Sequence, residues 1–256
     1  MTMTSRLPIW GRRGARLALT ALLLVFVVVA RPALAAAELI YGQGVLWKVE
    51  REGLAPSYLF GTIHITEERI LDLPAPVRAA FEGAKIAVFE VIMTDEVRMK
   101  MGREMVLTDG RNLQAILGPE LFEQTAAVAR RYGFEPQHLL AFKPWALALI
   151  FSLPQTELAR TAAGDVPLDQ MLQNEAADMG KRVLALESAE EQIALFTDIP
   201  EIEQIDMLET AVKENAKVAG VFENMVRLYL ARDIEGILDA MMEQSKTMNP
   251  KYVEKF

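Results

Sequence analysis

Four short apolar segments with the composition of β-strands lie along this chain, separated by stretches with helical periodicity. The predicted strands comprise residues 45–49, 58–63, 86–91 and 183–186. Strands that alternate with helices predict an α/β fold. The third segment is almost continuously apolar, which is typical of a strand buried on both faces. The apolar residues that follow it recur with helical spacing, so we expect a helical insertion at about residues 95–165.

The first 37 residues have the pattern of an export signal. Arginines at positions 12, 13 and 16 precede an apolar run over residues 17–30, and small-residue cleavage sites follow it, the last ending at Ala37. The apolar run is shorter than the roughly 20 residues that span a bilayer. We therefore expect cleavage after Ala37 and a periplasmic or secreted protein. The alternative is an uncleaved segment that anchors the chain to a membrane.

Residues 38–256 are sufficient for one globular domain with a substantial core. The predicted signal holds five arginines and no acidic residue, so its removal would change the net charge from −8 to −13. An acidic surface of this kind argues against a nucleic-acid partner, which requires a basic face. It also gives no reason to expect adhesion to anionic lipid, so any membrane contact would be through the signal segment. The absence of cysteine excludes disulfides, thiolate metal ligands and cysteine nucleophiles.

Three polar residues lie at the carboxyl ends of predicted strands, where open α/β sheets bind their ligands. His64 follows the second strand, Glu90 lies near the end of the third, and Glu187 follows the fourth. A carboxylate within an apolar strand needs a cation, a metal or several hydrogen-bond donors. For Glu90 the alternative is a structural ion pair. Glu187 could instead stabilise the next helix, which a Ser188–Glu191 capping box opens, and His64 could be an ordinary surface or hydrogen-bonded histidine.

The ordered motifs of this chain resemble those of the TraB/GumN family, which includes the pheromone-shutdown proteins and the Tiki metalloproteases. The resemblance begins at Trp47 and extends to the end of the chain. The residues that carry it are Leu46-Trp47-Lys48-Val49, Tyr58-Leu59-Phe60-Gly61-Thr62-Ile63-His64, Val88-Phe89-Glu90, Lys143-Pro144-Trp145, Leu168-Asp169 and Leu186-Glu187-Ser188-Ala189-Glu190-Glu191-Gln192.

The resemblance implies an α/β fold of the ChaN/erythromycin-esterase type, with a central sheet flanked by helices. It also implies metal-dependent peptide hydrolysis of the Tiki kind. Carried over by position, His64, Glu90 and Glu187 would be metal ligands, and the two glutamates would also be the catalytic carboxylates. One imidazole and two carboxylates suit a divalent ion such as Mn²⁺, Co²⁺, Fe²⁺ or Zn²⁺.

One family motif has no counterpart in this sequence. Members of the family carry a second G-x-x-H near the C-terminus, whereas the remaining histidine here, His138, has no glycine three residues before it. We expect His138 to have a helix-surface or capping role. The expectation is that the chain lacks the C-terminal segment of the family, and that its metal binding is weakened by the loss of the second imidazole.

The resulting functional hypothesis is a metal-dependent hydrolase that cleaves a peptide, or another amide or ester, outside the cytoplasm. A carboxylate would take the proton of a metal-bound water, with Glu90 the first choice and Glu187 the second. A serine hydrolase is a poor alternative because the chain has no G-x-S-x-G motif. An exported binding protein that sequesters a peptide, lipid or haem-like ligand is a second hypothesis, and an inactive copy of the enzyme is a third.

Overall fold

The computed structural model describes residues 42–247, which form a mixed α/β structure. The predicted export signal lies outside the described residues. All four predicted strands are present, each four residues long. Their bounds are β1 Leu46–Val49, β2 Ser57–Phe60, β3 Ile86–Phe89 and β4 Arg182–Ala185.

Helices make up most of the described residues, and between β3 and β4 the chain is helical wherever it is regular. The helices before β4 are α1 Glu68–Leu71, α2 Ala75–Gly83, α3 Asp95–Glu104, α4 Leu113–Arg131, α5 Pro136–Leu139, α6 Pro144–Phe151, α7 Gln155–Ala163 and α8 Leu168–Asp178. Those after β4 are α9 Ala189–Thr197, α10 Glu201–Glu214, α11 Val218–Leu230 and α12 Ile234–Thr247, with a 3₁₀ turn at Asn215–Lys217.

Proline and glycine set several of the helix boundaries. Pro144 opens α6, because its ring disfavours a helical conformation in the residue before it, and Lys143 is extended. Gly118 has a φ of 74°, a left-handed conformation that kinks α4 just before Pro119. A Gly-Pro pair is itself typical of a helix start, but α4 begins earlier, at Leu113, and continues through the kink.

The strands pair as two small sheets within the described residues. β1 and β2 form an antiparallel hairpin in which Leu46 is opposite Phe60. β3 and β4 are parallel, with Ile86 opposite Arg182 and Phe89 opposite Ala185. No hydrogen-bonded ladder joins the two sheets in this part of the chain. The α/β class is confirmed at this level.

The prediction that the third strand is buried on both faces is wrong. Ala87 is buried, whereas Ile86 and Val88 are 46% and 51% exposed. The reason is that α8 packs against one face of the β3–β4 pair, and among the described residues the opposite face has no comparable cover. The apolar run therefore forms a half-buried strand whose outer face is also apolar.

Two main clusters of buried side chains stabilise the molecule. One lies among the helices α4, α6 and α10 and includes Leu113, Phe151 and Leu208. The other joins the region after β2 to α8 and α11 and includes Ile65, Leu168 and Val226. The second cluster supports the segment that carries His64. No helix among residues 42–247 is long and apolar enough to cross a membrane.

Candidate functional site

His64 lies in a tight turn after β2. The strand ends at Phe60, so His64 is four residues beyond it rather than directly at its end. The Ile65 N–H donates a hydrogen bond of 2.9 Å to the Ile63 carbonyl. This bond closes a three-residue turn centred on His64, and such turns are common where strands pass into loops. The turn sets the direction of the imidazole.

Helix α8 holds this turn at two points. The Leu168 N–H donates to the Ile65 carbonyl at 3.2 Å. The Thr62 hydroxyl donates to Asp169 Oδ1 at 2.6 Å. Asp169 lies in the first turn of α8, where the helix dipole favours a negative charge. The helix therefore brings a carboxylate to the His64 turn and fixes the backbone on either side of the imidazole.

Two carboxylates face the two nitrogens of His64. Nδ1 lies 2.9 Å from Asp169 Oδ2, and Nε2 lies 3.8 Å from Glu90 Oε2. The three side chains are largely buried, each about one quarter exposed. The 3.8 Å separation is too long for a hydrogen bond. Within the described residues, His64 Nε2 and Asp169 Oδ2 are both buried, and neither has a hydrogen-bond partner of regular geometry. The contact between Nδ1 and Asp169 is therefore a close ion pair.

This environment favours the charged imidazole. Burial by itself would lower the pKa of His64, but the contacts with Asp169 and Glu90 outweigh burial and raise the pKa to about 10. In the absence of a metal, His64 is therefore an imidazolium at neutral pH. A cation that binds Nε2 must displace this proton.

Glu187 is hydrogen-bonded to Glu90 through the backbone, but the side chain of Glu187 has another partner. The Glu187 N–H donates to the Glu90 carbonyl at 2.8 Å, which extends the β3–β4 pairing. Its carboxylate accepts a hydrogen bond of 2.6 Å from Gln192 Nε2. The predicted capping box of α9 is present, with Ser188 and Glu191 as its residues. No hydrogen bond or ion pair of the described residues joins Glu187 to His64, so its catalytic role stays a prediction.

Sequence reasoning assigned no role to Asp169, which makes the shortest contact with His64. The Pro167-Leu168-Asp169 sequence is recognisable as a helix start with an acidic first turn, but nothing in it predicts which loop the carboxylate contacts.

Sequence reasoning also assigned no role to Tyr229 of α11. Its hydroxyl donates to the Gly61 carbonyl at 2.8 Å, and burial, aided by the Asp169 charge, raises its pKa. His138 is exposed at the end of α5, in agreement with the helix-surface role expected for it.

The donor set fits a divalent metal in part. An imidazole Nε2 without a hydrogen-bond partner and a facing carboxylate are ligands for Zn²⁺, Mn²⁺ and related ions. Asp169 at Nδ1 matches the carboxylate that commonly orients a metal-binding histidine. Among residues 42–247, however, no group of three or more His, Asp or Glu side chains is arranged to hold a metal. His64 and Glu90 would therefore form part of a coordination sphere.

An apolar cavity of about 400 Å³ borders the His64 turn. Ile63 and Ile65, the two neighbours of His64, contribute to its wall. The opposite walls come from α6, α10, α11 and α12, with Phe151, Met207 and Phe222 among them. A cavity of this volume and composition is within the range that binds small apolar ligands.

The chain is similar in sequence to proteins named metalloproteases. The chain is 26% identical over 237 residues to "Metalloprotease TIKI1" of Danio rerio, covering 80% of this chain and 47% of that protein. It is 28% identical over 178 residues to "Metalloprotease TIKI2" of Danio rerio, covering 57% and 33%. It is 28% identical over 173 residues to "Metalloprotease TIKI1" of Homo sapiens, covering 57% and 34%.

The chain thus spans less than half the length of these relatives. No solved structure matches it significantly. The sequence profile of one family matches residues 45–256, which include every motif of the site described above. The chain belongs to the TraB/PrgY/gumN family.

Proposed function

We propose that this protein is a metal-dependent hydrolase that cleaves peptides outside the cytoplasm. The observation that carries the proposal is the position of His64, with Asp169 at Nδ1 and Glu90 facing Nε2. The similarity to proteins named metalloproteases supports the same reaction class.

In this proposal His64 and Glu90 hold the metal, and Asp169 orients the imidazole. The Asp169 carboxylate, 2.9 Å from Nδ1, would favour the neutral tautomer of His64 that carries its proton on Nδ1, which leaves the Nε2 lone pair available as a ligand. When bound, a divalent ion would polarise the substrate carbonyl and lower the pKa of a bound water.

With a metal held there, a carboxylate would accept the proton of the attacking water. Glu90 is the first candidate because it already faces Nε2, and Glu187 is the second because its backbone is joined to Glu90. Replacing each by glutamine separates their roles. Loss of metal would identify a ligand, whereas loss of cleavage with metal retained would identify the proton acceptor.

Peptide cleavage tests the function directly. The purified chain is incubated with a peptide library and with Zn²⁺, Mn²⁺, Co²⁺ or Fe²⁺ in turn, and the products are identified by mass spectrometry. The His64→Ala variant should lose cleavage, and the His138→Ala variant, which removes an exposed histidine, should retain it. Equal cleavage by the two variants would contradict the proposal.

A binding function is the second candidate, and the apolar cavity favours it. About 400 Å³ of mostly apolar space behind Ile63 and Ile65 could hold a small apolar ligand without any chemistry at His64. A protein of this kind would yield a ligand on extraction with organic solvent and would not cleave the library. Substitution of Ala211 by Phe would fill the cavity, and the ligand should then be absent.

Two finer parts of the account are also proposals. We propose that β1–β2 and β3–β4 belong to one central sheet of the ChaN/erythromycin-esterase type, which an experimental structure would test. The support is that His64, after β2, and Glu90, after β3, lie side by side.

We also propose cleavage after Ala37 and a periplasmic or secreted location. N-terminal sequencing of the protein recovered outside the cytoplasm would test this, and an intact N-terminus in the membrane fraction would favour the anchor.

A further inference from the structure

Glu157 is a buried carboxylate in the first turn of α7. Its side chain is 3% exposed. Glu157 Oε1 accepts a hydrogen bond of 2.6 Å from the Thr66 N–H and a second hydrogen bond from the Thr66 hydroxyl. Thr66 is itself 5% exposed. Since a buried carboxylate is costly unless donors compensate it, this pair of bonds accounts for part of its presence in the interior.

A cation one turn along the same helix also offsets the cost of burying the Glu157 charge. Arg160 Nη1 lies 4.0 Å from Glu157 Oε1 and 2.8 Å from Glu67 Oε2. Arg160 thus joins Glu157 to the residue that follows Thr66 in the chain. Glu157 also gains from the N-terminus of α7, where the helix dipole favours negative charge. The carboxylate is therefore fixed in place on both sides.

These bonds hold the chain immediately after His64. Thr66 is two residues beyond His64, and α8 holds the intervening Ile65 through Leu168. Thr62, two residues before His64, is bonded to Asp169 of α8. Helix α8 thus holds the residue before the His64 turn and the last residue of the turn, and α7 holds the residue after it.

We infer that Glu157 is a positioning residue for the proposed site: by anchoring Thr66, it sets the direction in which His64 faces Asp169 and Glu90. The inference deepens the proposed function and rests on it for its biological meaning. Within residues 42–247, no hydrogen bond or ion pair joins Glu157 to the imidazole, so its effect would be transmitted through the backbone of residues 64–66. An apolar residue of similar size could fill the space but could not bind both the N–H and the hydroxyl of Thr66.

The histidine spectrum of the full chain tests this inference. The sequence contains two histidines, so a ring-labelled sample gives two NMR signals, and His138→Asn assigns them. In the metal-free protein, Glu157→Ala should shift or broaden the His64 signal and leave that of His138 unchanged. Glu157→Gln keeps an acceptor oxygen and should restore the wild-type position.

A matched control separates positioning from general stability. Asn215→Ala removes buried hydrogen bonds to the Tyr132 hydroxyl and the Phe151 carbonyl, in the other core. It should lower the melting temperature without moving the His64 signal. If Glu157→Ala does not fold, Glu157→Leu replaces it, because an apolar side chain of similar size fills the space but accepts neither the N–H nor the hydroxyl of Thr66. An unchanged His64 signal in the folded variant, or an equal change in Asn215→Ala, would overturn the inference.

A second readout uses Zn²⁺ alone. Glu157→Ala should weaken Zn²⁺ binding about tenfold, as is common for groups that orient a ligand, and Glu157→Gln should recover most of it. Undiminished Zn²⁺ affinity in Glu157→Ala would contradict the inference.

The NMR spectrum of the metal-free protein can be recorded whether or not the protein binds metal or cleaves peptides. Failure of the proposed function would therefore leave the NMR result standing, and failure of the inference would leave the peptide-cleavage result standing.

Discussion

Asp169 Oδ2 lies 2.9 Å from His64 Nδ1, although the two residues are 105 positions apart in the chain. Asp169 also accepts the Thr62 hydroxyl through its other oxygen, so one carboxylate fixes both the imidazole and the backbone that carries it. With Nδ1 directed to Asp169, Nε2 is directed to Glu90. The arrangement is that of a histidine ligand with its orienting carboxylate.

Loss of the Asp169 charge should weaken metal binding. In Asp169→Asn the amide can no longer stabilise the Nδ1–H form as a carboxylate does, so we expect the dissociation constant for Zn²⁺ to rise by about 10- to 100-fold. Titration calorimetry measures this change. Asp178→Asn, an exposed substitution at the other end of α8, is the control and should bind as the wild type does. Identical affinities for the two variants would remove Asp169 from the site.

The metal-free protein should lose stability as the pH rises from 6.5 to about 10. The pKa of His64 is raised from 6.5 to about 10 in the folded chain, so the folded state binds the proton more tightly than the unfolded state does. The resulting stabilisation is complete below pH 6.5 and disappears as the pH passes through 10. Urea unfolding at both pH values, compared with His64→Gln, isolates this contribution from other titrating groups. An equal loss in the two proteins would contradict it.

Removing the Tyr229 hydroxyl should destabilise the molecule by a small amount. Tyr229→Phe leaves the Gly61 carbonyl without this donor, at a cost of about 1–2 kcal/mol. Urea unfolding gives the free energy, and peptide cleavage measured on the same sample shows whether the segment before His64 has moved. A variant as stable as the wild type would mean that water replaces the hydroxyl at Gly61.

Two glycines in the last helices provide a matched pair for packing. A Cβ at Gly236 would lie 2.5 Å from Asp233 Oδ2 and 2.9 Å from Leu228 Cδ2, so Gly236→Ala should cost about 1–3 kcal/mol. The Asp233 carboxylate cannot move freely because it caps the Gly236 N–H. At Gly220, inside α11, no atom of the described residues beyond the adjacent residues and the nearby helix backbone lies within 4 Å of the added carbon. Gly220→Ala should therefore stabilise the protein by about 0.5–1 kcal/mol. Thermal unfolding of both variants measures the difference in sign.

The local structure was largely predictable from the sequence. Four apolar segments gave four strands, and the break at Pro144 follows from the geometry of its ring. The strand before His64 was predicted too long because Ile63 is apolar, although its carbonyl closes a turn instead of a ladder. The exposure of Ile86 and Val88 depends on which elements cover the sheet, and the composition of a strand does not contain that information.

The candidate site was predictable in part. His64 and Glu90 were recognisable as a histidine after one strand and a carboxylate in another, and the structure places them together. Asp169 and Glu157 lie on helices of the region between β3 and β4, and the contacts they make depend on how those helices fold back over the chain. Asp169 lies in the Leu168-Asp169 motif of the family resemblance, but the sequence pattern does not show that this motif contacts His64.

Metal titration of two histidine variants is the most direct test of the proposed site. Zn²⁺ is added to the wild type, His64→Ala and His138→Ala, and binding is followed by calorimetry. The wild type and His138→Ala should bind with the same affinity and release a proton on binding, because the metal displaces the proton of His64. His64→Ala should show no binding at the same concentrations. If His64→Ala binds Zn²⁺ as tightly as His138→Ala does, His64 is not a ligand and the proposed hydrolytic site is wrong.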